Sequence, residues 1–312
     1  MKWKEFAACA LVVTALLFSL TSCKKAEKQI SVIVREPGSG TREAFDRIVT
    51  DGTHYLEERN ELGKKIYRIS KTAIQQTKNG TVLSAVASDP NAIGYSSLGA
   101  LSDVVKTVRV NGVEPTAETV RSGAYGISRP FVIMTRAGQA LTPATADFLH
   151  YLKSDASELP SQAAGCIFLT DPARRANEGA TPVEVTVYEK QASLPEGVKI
   201  LLRGSTSLEK FIHAAAKSYA ELYGVPAQEI FDIRLEGSSV GQRAVEEDVR
   251  GNVIGLSSAA VVSSKIDSFN VCLDAVAVIV NPKNTAVTDL TLAELYGIFS
   301  GEIKYFNRLA SE

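Results

Sequence analysis

Hydrophobic positions in this chain fall into short β-branched runs, each followed by a small polar turn and then an amphipathic stretch. Residues 30–34 (ISVIV) read as a buried strand. They lead into Arg35-Glu36-Pro37-Gly38-Ser39-Gly40-Thr41 and a helical pattern with Ala44, Phe45, Ile48 and Val49 on one face. Ile93-Gly94-Tyr95 marks a second core strand, and VVKTVRVNGVEPT predicts a hairpin turning at Asn111-Gly112. Residues 127–135 (ISRPFVIMT) are extended, and FLHYLK is helical. VKILL leads through Gly204-Ser205-Thr206-Ser207 into a helix ending near Tyr223. FDIRLE leads through Gly237-Ser238-Ser239 into another helix, and NVIGL into Ser257-Ser258. CLDAVAVIVNP is a long buried strand, and TLAELYGIFSGEI is a helix opened by a threonine cap. Strands alternating with helices predict α/β layers with parallel sheet. Residues 171–197, with clustered prolines and small residues, are the linker candidate.

The N-terminus has a different pattern. Lys2 and Lys4 precede an apolar run, Phe6–Leu20, and then Leu20-Thr21-Ser22-Cys23. The run is short for a membrane-spanning helix, which needs about 20 residues, and suits a secretory signal. The LTSC ending resembles a bacterial lipobox. That implies a signal peptide over 1–22, cleavage before Cys23, acylation of its thiol with palmitate or a similar chain, and a lipid-anchored extracytoplasmic protein at the cell membrane. The alternative is an uncleaved anchor with an incidental cysteine.

With 312 residues the chain is too long for one ordinary core, so two domains are expected. Thirty-four basic residues against 35 acidic ones leave no excess for a nucleic-acid footprint. His54, His150 and His213 lack metal-ligand spacing, and no cysteines form a CxxC pair, so neither a metal nor a cofactor is expected. Cys166 and Cys272 both sit in apolar contexts, as two buried thiols or as a disulfide in an oxidising compartment.

Four times a strand ends in a hydroxyl-rich turn where a helix is expected to begin: GSGTREAF, GSTSLEKF, GSSVGQRAV and GLSSAAV. Helix N-termini offer unpaired N–H groups and partial positive charge, so several converging on one point make an anion site. One such turn is commonly just a cap; four together favour a site, with Arg35 as a cation beside the first. No GxSxG elbow, phosphate loop or base-paired serine is present, so no catalytic residue is expected and the chain is not read as an enzyme.

Arg35–Phe45 (REPGSGTREAF) resembles the signature of phosphate-binding proteins of bacterial phosphate ABC transporters. NAIGYSSL, GAYGISRP, GSTS, DAVAVIVNP and LTLAELYGIFSGEI match the same family. The resemblance implies a type II periplasmic-binding-protein-like α/β fold, with two lobes, two hinge crossings and an interlobe ligand cleft. In the family GSTS comes first and REPGSGT late; here the order is reversed, as in a circular permutation joined through residues 171–197. A truncated gene product is the alternative. The expected lobes are 28–128 plus 284–312, carrying REPGSGT, and 129–283, carrying GSTS and GSS. Hinges are expected near Ser128–Phe131 and Val280–Asn284.

Carried over motif by motif, the resemblance implies phosphate contacts from Arg35, Ser39, Gly40 and Thr41 on one lobe, and from Ser205, Thr206, Ser207, Ser238 and Ser239 on the other. Ser258 stands where some members carry an aspartate that accepts the P–OH proton. Asp274 or Glu36 is a candidate replacement, although Asp274 reads equally as a strand-end residue bonded to backbone. The implied partners are inorganic phosphate, permease subunits of an ABC transporter and, through the lipid anchor, the membrane. A phosphate sensor that kept the fold without transport is the other reading.

Overall fold

A computed structural model describes residues 29–177 and 180–309. The expected signal segment 1–22 and the lipidation residue Cys23 lie outside these residues. Two sheets are joined through one 15-residue strand, Ile266–Val280. Its first part pairs antiparallel with Ser128–Arg136, from Ile266 opposite Arg136 to Ala275 opposite Ser128. Its last part pairs with Ala92–Ser97, from Val276 opposite Ser97 to Val280 opposite Ile93. The lobes therefore exchange partners between Ala275 and Val276, where the chain also enters Ser128.

The first lobe has parallel strands Ile74–Gln76, Ser31–Arg35 and Ala92–Ser97 beside the end of the long strand, with Lys106–Val110 on its other side. Val32, Ile33 and Val34 are all buried, as a parallel strand covered on both faces requires. The helix Gly40–Ile48 packs Phe45 on Tyr95 at 4.1 Å and on Phe299 at 4.7 Å. Phe299 belongs to the helix Leu292–Ser300, which therefore shares a core with the first strand. Each such fully buried side chain contributes roughly 1.5–3 kcal/mol. The Ile30 N–H donates to the Lys304 carbonyl at 2.9 Å, so the two ends of the described chain are neighbours.

The second lobe has parallel strands Phe231–Leu235, Ile200–Gly204 and Val253–Ser257, then the antiparallel Ser128–Arg136. The helix Glu209–Leu222 buries Phe211, Ile212, Ala215, Ala216 and Tyr219 in its core. The linker is held to this lobe by Tyr188, whose hydroxyl donates to Asp147 at 2.8 Å. Tyr219 and Tyr223 donate to the same carboxylate oxygen.

Three expectations change. Residues 276–283 are expected in the second lobe, but Val276, Val278 and Val280 lie in the first lobe's core with Tyr95 and Leu295. The long strand crosses without a turn signal, so Pro282 marks its end and not a hinge. Asn111 does take a left-handed turn (φ 51°). Beyond it only a single bridge, Val110 to Val113, forms, because Lys106–Val110 pairs with the long strand and with Asp289–Leu290 instead. No helix forms after GLSS: beyond Val253–Ser257 the chain stays irregular through Val261-Val262-Ser263, a poor helix sequence.

Candidate functional site

Residues from all four predicted turns meet where the lobes touch. Ser39 caps the helix Gly40–Ile48, accepting from the Arg42 N–H at 3.4 Å, and this places Thr41 in the first turn. In the other lobe Ser205 caps a short 3-10 turn by accepting from the Ser207 N–H at 3.2 Å. Thr41 Oγ1 and Ser207 Oγ then lie 2.9 Å apart across the lobe junction, both buried. Ser207 also accepts from Asn79 Nδ2 at 3.2 Å and Arg129 Nη2 at 3.1 Å. With both lone pairs used, its hydroxyl donates to Thr41. Thr41 accepts a second bond from Arg129 Nη2 at 3.1 Å, which leaves its own O–H as a donor for a ligand.

The lobes also approach closely at Gly40. A Cβ there would stand 2.4 Å from the Ser258 carbonyl carbon and 2.6 Å from the Ala259 nitrogen. Ser258 Oγ is 2.8 Å from Ser205 Oγ and 3.4 Å from Ser238 Oγ, and its N–H donates to Ser238 at 3.1 Å. These three serines form one buried hydroxyl cluster. Thr206 Oγ1 is buried without a partner among the described residues. Thr206 also lines a cavity of about 300 Å³ shared with Lys78, His213 and Arg234. Ser239 is exposed and stands over Gly38 rather than within the cluster.

The charged groups depart further from the sequence reading. Arg35 is buried, but its Nε and Nη2 bind Glu36 at 2.8 and 2.9 Å and its Nη1 binds Asn79 Oδ1 at 2.8 Å. Its link to the hydroxyls runs through Asn79. Glu36 is thereby committed to Arg35. Asp274 accepts from Ser97 Oγ at 2.7 Å, from Arg129 Nη2 at 3.1 Å and, more weakly, from the Gly99 N–H at 3.4 Å. Burial pushes the Asp274 carboxyl upward, and Arg129 opposes this. Neither carboxylate stands free beside the hydroxyl cluster.

Sequence reasoning missed Arg129 and Asn79 as site residues. Arg129 sits on one crossing strand, opposite Asp274 on the other. Its signal was a lone cation inside the apolar run ISRPFVIMT, where a buried charge needs a partner. It also lines a cavity of about 910 Å³ with Ser258, Arg47 and Asn270. Asn79 carried no motif. Its place comes from the helix Asn79–Ser88 starting next to the first strand's end. Among the described residues no group of His, Cys, Asp and Glu could hold a metal ion, and no helix is long and apolar enough to cross a membrane.

Known proteins match this chain along most of its length. The PBP superfamily domain model matches residues 1–156 and 181–312. Phosphate-binding protein PstS 2 of Streptococcus agalactiae serotype V is 31% identical over 294 residues, covering 93% of this chain and 90% of that protein. Phosphate-binding protein PstS 2 of Streptococcus pneumoniae serotype 4 is 33% identical over 294 residues, covering 93% and 91%. The crystal structure of a phosphate-binding protein of a phosphate ABC transporter from S. pneumoniae TIGR4 is 32% identical. It covers 90% of this chain and 100% of that one, with a TM-score of 0.63. The chain belongs to the PBP superfamily and, within it, to the family of these phosphate-binding proteins of phosphate ABC transporters.

Proposed function

We propose that this protein binds inorganic phosphate between its two lobes, outside the membrane and tethered by a lipid on Cys23, and delivers it to an ABC permease. The observation that carries the reading is the meeting of Thr41 and Ser207 across the lobe junction beside a buried guanidinium. Ser205, Ser238 and Ser258 form the adjoining hydroxyl cluster. Directional hydroxyl and guanidinium donors suit a tetrahedral oxyanion. Because the donors come from both lobes, ligand binding favours lobe closure, and the closed form is the one a permease can recognise. The lobe division in this reading is 29–127 with 276–309, and 128–275.

We also infer that the motif order is a circularly permuted one that this chain shares with its streptococcal relatives, because single alignments of 294 residues run along 93% of this chain and 90% and 91% of those proteins. The bond from Ile30 to Lys304 and the shared core of the first strand and last helix support it. Titration calorimetry of the mature chain with phosphate, arsenate and sulfate tests the binding reading. Saturable heat with phosphate at one site per chain is expected, and no heat with any oxyanion refutes it.

A further inference from the structure

We infer that Cys166 and Cys272 form a disulfide site, closed in the exported protein by exchange with a low-molecular-weight disulfide, which staples a turn at the lobe junction to the crossing strand. The supply of oxidant rests on the extracytoplasmic reading proposed above; the placement of the two thiols stands by itself. Cys272 lies on the crossing strand Ile266–Val280, opposite Phe168 in the antiparallel pairing with the short strand Ile167–Phe168. Side chains two apart share a face, so Cys166 comes up on the same side of this ladder as Cys272, as its diagonal neighbour. Cys166 stands just before the short strand, in a turn rather than in the ladder. Its N–H donates to the Ser161 carbonyl at 2.9 Å, and Gly165 before it turns the chain with a φ of 73°. Both side chains are buried in one core, and the Cys272 thiol is the hydrogen-bonding neighbour of the Cys166 thiol.

A disulfide needs its sulfurs about 2.05 Å apart and its Cβ atoms roughly 3.5–4.5 Å apart. Two thiols already in contact reach that with a small swing of the turn at 164–166, which Gly165 permits. The neighbouring Cys272 together with burial pushes the Cys166 thiol up, so thiolate is scarce once the protein is folded and the exchange takes place as the chain folds. One protein thiolate attacks the small disulfide, forming a mixed disulfide and releasing one small thiol. The second protein thiolate attacks the protein sulfur of that bond and releases the other. Two protein S–H bonds and one small-molecule S–S bond thus become one protein S–S bond and two small-molecule S–H bonds. The staple closes a loop of roughly 100 residues, so it strongly constrains the unfolded chain. Its position also matters to the junction. A Cβ on Gly99 of the first lobe would stand 2.6 Å from the Ala164 carbonyl oxygen and 3.5 Å from Cys166 Sγ. The Gly99 N–H points to Asp274, two residues beyond Cys272. The disulfide therefore fixes the part of the second lobe on which Gly99 rests.

The test uses the mature chain carrying Cys23→Ser, in which Cys166 and Cys272 are the remaining cysteines. It is refolded from denaturant in glutathione disulfide and, separately, in reduced glutathione. Each sample is melted, then unfolded without reductant, alkylated with iodoacetamide and weighed. The oxidised sample is expected to take up no label, to weigh two hydrogens less than the reduced chain before alkylation, and to yield a peptide pair linked through Cys166 and Cys272. It should melt about 5 °C or more above the reduced sample. Cys166→Ala and Cys272→Ala should each erase that difference between the two buffers. Two labels per oxidised chain overturn the inference. So does glutathione held separately on the two cysteines, or a linked chain that melts no higher than the reduced one. If an alanine variant does not fold, the mass and labelling of the chain with both cysteines decide. Because the glutathione disulfide is supplied, the result does not depend on lipidation, export or phosphate binding, whose failure would show in the calorimetry and palmitate labelling instead.

Discussion

Replacing Gly40 with alanine isolates lobe closure from the stability of either lobe. Gly40 opens the helix Gly40–Ile48, and no left-handed backbone conformation demands glycine there. Within its own lobe the substitution is mildly favourable, because alanine exceeds glycine in helix propensity by about 1 kcal/mol. Across the lobe junction it is not. The new Cβ would lie 2.4 Å from the Ser258 carbonyl carbon and 2.6 Å from the Ala259 nitrogen, where ordinary contact begins near 3.4 Å. Relief requires the lobes to separate by about 1 Å at this point, because the atoms in the way include backbone. The bond from Ser207 to Thr41, now 2.9 Å, and those from Arg129 to both hydroxyls, now 3.1 Å, would then stretch past useful length. One neutral bond and shared charge-assisted ones are worth together about 3–5 kcal/mol, which predicts a roughly 10²–10⁴-fold loss of phosphate affinity. Calorimetry gives the affinity, and small-angle scattering with and without phosphate gives the closure. The wild type should contract on binding, whereas Gly40→Ala should not. A Gly40→Ala protein that binds and contracts like wild type would refute this account of the junction.

The same geometry sets other outcomes. Glu36 and Asp274 are committed to guanidiniums and the hydroxyl cluster is built of Ser205, Ser238 and Ser258, so among the described residues no free carboxylate in that cluster repels sulfate; millimolar sulfate should compete measurably with phosphate, and complete indifference to sulfate would contradict the arrangement. Asp46 is buried beside Arg42, and burial pushes its carboxyl from 3.8 up to about 7. Its folded value exceeds its unfolded one, so its contribution is complete below about pH 4 and is lost as pH rises toward 7, by a few kcal/mol. Urea midpoints against pH should show that slope in wild type and not in Asp46→Asn. Cys166 and Cys272 are buried, and the neighbouring Cys272 together with burial pushes the Cys166 thiol up, so iodoacetamide should label neither until the chain is unfolded. Cys23→Ser should abolish palmitate labelling, and undiminished label would refute the lipidation site.

The fold was legible because its signals are local and repeated. ISVIV, VKILL and DAVAVIVNP are apolar on both faces, which only a covered strand can satisfy, and each became one. Thr291 and Ser39 are capping residues with helices directly behind them. The lobe boundary was less legible, since the crossing at Ala275–Val276 lies inside one unbroken strand. Of the two paired strands that build the hinge, Ser128–Arg136 carries Pro130 near the crossing, but Ile266–Val280 carries neither glycine nor proline to mark it. The missing fourth helix has a different cause. Small residues at a strand's end are permissive, and the side chains beyond them decide the conformation; here Val261-Val262 and two serines favour an extended path.

The site divided along the same line. Hydroxyls that cap their own turns could be placed from sequence, because Ser39 and Ser205 bond to backbone only two or three residues away. The charges could not be placed, because a guanidinium's role depends on which oxygens reach it from distant segments. Arg35 stands in the recognisable motif, yet Glu36 beside it takes up its charge. Arg129 stands in an apolar run with no motif of its own, and its partners lie 88, 78 and 145 residues away. Those separations collapse only when both crossing strands lie side by side and the first and last segments share a lobe. In any fragment that breaks the pairing of Ser128–Arg136 with Ile266–Val280, Asp274 and Arg129 would be separated. The charge at the lobe junction is therefore a property of the assembled hinge, and the hydroxyl turns alone would make at most a weak anion site.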